Sequence, residues 1–115
     1  MVDGVRVGSL DFKISLQKPG SKYLVLDEGD CAGVVKYATQ EIFLLNNMAE
    51  QYSFKVLLHE MVHAMLEQAT HDQEIFDDEH TVEVISGFML QIIRDNPTLI
   101  KDIWKACKVN EYSGD

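Results

Sequence analysis

The chain has 115 residues, 46% of them hydrophobic and 25% charged, with a formal net charge of −9. That mixture is ordinary for a folded globular protein and excludes intrinsic disorder, and the length suits one domain, residues 1–115, rather than two. Only 10 Lys and Arg, scattered against 19 Asp and Glu, exclude the clustered basic surface that nucleic acid requires.

No apolar run approaches a membrane span, and the opening MVDGVRVGSL lacks the basic and apolar regions of a signal peptide, so a cytoplasmic location is expected. Cys31 and Cys107 stand far apart without CxxC spacing and read as two reduced thiols.

The first half is strand-like. Val5 to Leu16 alternates apolar and polar residues over much of its length, and Lys18-Pro19-Gly20-Ser21 closes it as a turn. Tyr23 to Leu26 is a second apolar run, ended by Asp27-Glu28-Gly29-Asp30. Ala32 to Tyr37 and Glu41 to Leu45 read as two further strands, so strands occupy about 5–45.

The second half is helical. Asn47-Met48-Ala49-Glu50 has the form of a capping box with Asn47 as N-cap. Phe54, Leu57, Leu58, Met61, Val62, Met65 and Leu66 then recur at helical spacing, predicting a helix over about 48–68. After a polar stretch, a second helix is predicted over about 78–95, with Val82, Ile85, Phe88, Met89, Ile92 and Ile93 on its buried side. Asn96 as N-cap, with Pro97 at the first helical position, starts a third, over about 97–108, with Ile100, Ile103 and Trp104 as its packing face. Strands followed by helices make an α+β protein: a small antiparallel or mixed sheet, then three helices.

The first helix contains His59-Glu60-Met61-Val62-His63. Histidines four apart project from one helix face, so both imidazoles can reach one zinc ion. Glu60 lies about 100° round the helix from His59, close enough to take a proton from a water whose pKa the metal has lowered. A histidine pair alone favours an edge feature of a core helix; the glutamate in this slot, on a strongly periodic helix, points to metal chemistry.

A catalytic zinc takes a third protein ligand and keeps one position open. His71, Glu74, Asp77, Asp78, Glu79, His80 and Glu83 all lie just downstream. Glu79 and Glu83 are themselves four apart, so one can bind the metal while the other accepts a hydrogen bond from a ligand histidine. Helix capping competes for Asp77, Asp78 and Glu79, and His80 is the main rival ligand. Tyr37, Tyr52 and Tyr112 each carry a hydroxyl able to steady an oxyanion, though nothing in the sequence aims one at the site.

Over residues 33–98 the chain resembles the small zincin metallopeptidases, in particular the short metallopeptidases of phages and prophages related to the ImmA/IrrE type. Leu57 to Ala64, the segment Glu79-His80-Thr81-Val82-Glu83 and Arg94-Asp95-Asn96-Pro97 carry the resemblance. It implies a minimal zincin-like fold, Zn²⁺ as cofactor, Glu79 as third ligand and Glu83 bracing a ligand histidine. It further implies a peptide or protein substrate added as a strand beside Ile42, Phe43 and Leu44. A zincin-fold module that grips a partner protein or regulates it without turnover is the alternative.

Overall fold

The computed structural model describes the backbone of residues 1–26 and 29–113, with side chains as far as Lys108. Its order is β1 (Gly4–Val7), β2 (Leu10–Gln17), a 3-10 turn (Lys22–Leu24), β3 (Val25–Leu26), β4 (Gly29–Asp30), β5 (Gly33–Lys36) and β6 (Glu41–Leu45). Then come α1 (Glu50–Thr70), α2 (Gln73–Phe76), α3 (Glu79–Asp95) and α4 (Pro97–Ser113). The chain is therefore α+β, as the patterning predicts. Asp27 and Glu28 of the expected turn, and the Tyr112 side chain, lie outside the described residues.

The single alternating run of Val5 to Leu16 folds back on itself. Gly8, with φ +61°, occupies the first of two turn positions, the left-handed backbone that a two-residue hairpin needs. β1 and β2 pair antiparallel from this turn. β2 then pairs parallel with β6, and β6 pairs antiparallel with β5, giving the mixed order β1-β2-β6-β5. β3 and β4 form a separate two-stranded ribbon.

β6 is buried on both faces, which explains why it reads as a continuous apolar run. Ile42 and Leu44, both 0% exposed, join Val7, Phe12, Ile14, Leu57 and Ala64 in the core beneath α1. Phe43 points the other way and stacks on Tyr23, with ring centroids 4.6 Å apart. The side chain of Gln68, near the end of α1, clamps the hairpin. Its Nε2 donates to the Val7 carbonyl at 2.8 Å, and its Oε1 accepts from the Ser9 backbone N–H at 3.3 Å.

Three helix expectations need correction. Ala49, without a side-chain cap bond, is the N-cap of α1, so the Asn47 capping box does not form. Asn96 does not cap α4 with its side chain; its Nδ2 donates back to the Ile92 carbonyl at 3.0 Å, closing α3. Phe88, Ile92, Ile93, Ile103 and Trp104 are exposed rather than buried. α3 packs mainly against α1, and one neighbouring helix covers only one stripe of it.

Candidate metal centre

α1 runs across the sheet with His59, Glu60 and His63 turned toward a cleft of about 660 Å³. β5 forms one wall through Gly33, Val34 and Val35, while Asp77, Glu79 and Glu83 approach from the other side. The turn after α1 brings them there. His71 ends the helix in the left-handed region, at φ +56°, and Asp72 caps α2 by accepting from the Glu74 N–H at 3.0 Å. Asp78 then caps α3, accepting from the His80 N–H at 3.2 Å and the Thr81 hydroxyl at 2.7 Å. This reversal delivers the first turn of α3 to the middle of α1.

Glu79 reaches both histidines. One carboxylate oxygen lies 2.8 Å from His59 Nε2 and the other 2.8 Å from His63 Nε2. The other nitrogen of each ring is held separately. His59 Nδ1 is 2.8 Å from Glu83 Oε2, and His63 Nδ1 bonds the backbone carbonyl of Phe76. One ligand atom each from His59, His63 and Glu79 lies within 4.8 Å of the other two.

Donor counting shows what this arrangement fits. A neutral imidazole donates through one nitrogen only. With Nδ1 donating to Glu83 or to Phe76, each Nε2 turns a lone pair toward a carboxylate oxygen that also carries lone pairs. A shared cation removes that conflict at both rings at once. Acceptors behind Nδ1 are also what orient metal-binding histidines, and two nitrogens with one carboxylate make a donor set suited to zinc. The residues fit a divalent metal.

Glu60 is only 7% exposed. Burial pushes its carboxyl up to about 7; the negative charge of Glu79 adds to this, while His63 and a backbone hydrogen bond from Val35 pull the other way. Burial also raises Glu83, but hydrogen bonding to His59 and the charge of Lys55, 3.4 Å away, outweigh it and hold the carboxyl below its ordinary range. Tyr37 lines the cleft as well and packs edge-on against Phe76. Burial, reinforced by Asp77, Glu60, Glu67 and Glu79, pushes its phenol far upward, leaving a neutral O–H donor.

Of the other candidates, His71, Glu74 and His80 stand exposed outside the cluster, and the Asp77 carboxylate accepts from Gln73 Nε2 at 3.0 Å. Tyr52 lines the cleft at its rim. The expectation of a substrate strand at Ile42, Phe43 and Leu44 is overturned: β6 is paired on both sides, so its backbone groups are already used. The sheet edge beside the cleft is β5. The Leu45 N–H bonds the Ala32 carbonyl at 2.9 Å, which sets Ala32, Val34 and Lys36 in the ladder and turns the backbone groups of Gly33 and Val35 outward. The Phe76 carbonyl had no signal in the sequence, because any residue supplies one.

The triad of His59, His63 and Glu79 is consistent with a zincin-like site. No family model matches the chain, and no curated protein or solved structure matches it either. Among the described residues, no helix is long and apolar enough to cross a membrane.

Proposed function

We propose that the protein is a zinc-dependent peptidase of the zincin type. The observation that carries this reading is the convergence of His59 Nε2, His63 Nε2 and the Glu79 carboxylate, with Glu83 and Phe76 orienting the two rings from behind. When bound, zinc supplies a Lewis acid that polarises a carbonyl oxygen and makes water a competent nucleophile near neutral pH.

The chain's own residues supply the rest. An extended peptide adds to the free edge of β5, donating to the outward carbonyls of Gly33 and Val35 and lying across the cleft, while the Val35 N–H stays on Glu60. Glu60 takes a proton from the water that attacks the peptide carbonyl. As the C–N bond breaks, the same carboxyl returns that proton to the departing amine nitrogen. A cation at the triad favours the ionised form of Glu60, which makes the buried carboxylate available as a base. Tyr37 donates its O–H to the oxygen on which negative charge develops.

Zinc content per chain, measured after identical mild chelator washing, tests the site. The parent is expected to hold one zinc and Glu79→Gln to lose it. Glu60→Gln is expected to keep zinc and lose cleavage of a broad peptide library. Zinc held with no cleavage by the parent would replace the peptidase reading with that of a protein-binding module. No zinc even after reconstitution would remove the metal reading altogether.

A further inference from the structure

Helix α3 is apolar on two opposite sides. Val82 and Ser86 are sealed from solvent on the side where α3 packs against α1. Val84, Phe88 and Ile92, offset by two residues and so about 200° round the helix, form a second stripe that stands in water, with Phe88 65% exposed. α4 shows the same feature. Leu99, Ile103 and Trp104 are each half exposed or more, and this 17-residue helix meets the rest of the chain chiefly where it leaves α3. The molecule is drawn out as a result. Its radius of gyration is 15.3 Å and its longest dimension 48 Å, against a radius of about 13 Å for a compact domain of this size.

We propose that these two stripes form the interface of a homodimer, in which α4 of each copy lies along α3 of the other to make a four-helix bundle. Area supports a second copy. The exposed parts of Val84, Phe88, Ile92, Leu99, Ile103 and Trp104 amount to on the order of 600–700 Å². That total is close to what each partner contributes to a standard interface.

Length supports the same occupant. Cys107, exposed one turn beyond Ile103, continues the α4 stripe. Val84 to Ile92 and Leu99 to Cys107 then each span about 12 Å of helix, so the stripes match end to end. Each copy offers the same two stripes, so exchanging the helices makes both contacts at once and closes the arrangement as a two-fold pair.

Sedimentation equilibrium of the full chain over about 1–100 µM tests this, with mass as the readout, independently of metal and catalysis. Twice the chain mass is expected for the parent. Phe88→Glu and Ile103→Glu should each weaken association at least tenfold. Both side chains already stand in water, so far-UV circular dichroism and zinc content should match the parent. A parent that stays monomeric at the highest concentration would overturn the proposal. So would a dimer that survives both Phe88→Glu and Ile103→Glu.

Discussion

Gly33 lies where α1 comes closest to β5, and replacing it with alanine tests how the metal helix is seated. A Cβ at this position would sit 2.6 Å from Val56 Cγ1, 3.2 Å from Leu44 Cδ2 and 3.3 Å from Glu60 Cγ. Carbon atoms pack at about 3.5–4.0 Å, so Val56 must retreat by about 1 Å. Valine in a helix has one strongly preferred rotamer, and rotating away is costly; the alternative is to lift α1 off the strand. Overpacking of this kind costs about 1–3 kcal/mol, which for a chain of this length lowers the melting temperature by roughly 4–12 °C. Glu60, one turn beyond Val56, would also be drawn away from the Val35 N–H. The assay is thermal unfolding of the metal-free parent, Gly33→Ala, Val56→Ala and the double variant. Because Val56→Ala removes the colliding methyl groups, the double variant should be more stable than the sum of the single effects by about 1 kcal/mol. A Gly33→Ala protein melting within about 2 °C of the parent, or strictly additive effects, would refute the close seating of α1 on β5.

Glu83→Ala frees His59 Nδ1 and should weaken zinc binding by about 10–100-fold, read by competition with a chromophoric chelator; unchanged affinity would remove Glu83 from the site. Gln68→Ala removes the bonds to Val7 and Ser9 that tie α1 to the hairpin. At about 0.5–1.5 kcal/mol per bond, it should lower unfolding stability by about 1–3 kcal/mol in a urea titration, and no change would mean the clamp is idle. Burial, together with the negative charges of Glu60 and Asp30, raises the Cys31 thiol, and its Sγ–H donates to the Leu24 carbonyl at 3.0 Å. Only the thiolate reacts, so the alkylation rate of Cys31 should rise with pH along a curve displaced upward. At pH 8 it should trail the exposed Cys107; equal rates in peptide mass mapping would contradict this.

The HExxH spacing, the helix around it and a downstream glutamate are all legible in the sequence, because each depends on helical repeat. Positions four apart share a face wherever the helix lies. Asp78 and Asn96-Pro97 likewise marked the boundaries of α3 and α4 from local chemistry alone, although Asn96 turned out to serve the helix behind it. His71 and the short α2 were harder, since the tight reversal between α1 and α3 depends on a left-handed histidine that no apolar period signals.

The residue pattern therefore sets what is local: element type, the order of strands then helices, and the pairing of His59 with His63 on one face. The tertiary structure decided which strand is free. β6 is enclosed because β2 reaches it in parallel across more than twenty intervening residues, a pairing governed by long-range closure that leaves no mark in either segment. It also decided which of several acidic residues meets the histidines, since Glu79 rather than Glu74 or Asp77 arrives at the triad only through the direction of the α2 turn. And it decided which apolar side of α3 faces the core. Period alone shows that a helix carries apolar stripes; the number of neighbours available to cover them is a property of the whole fold.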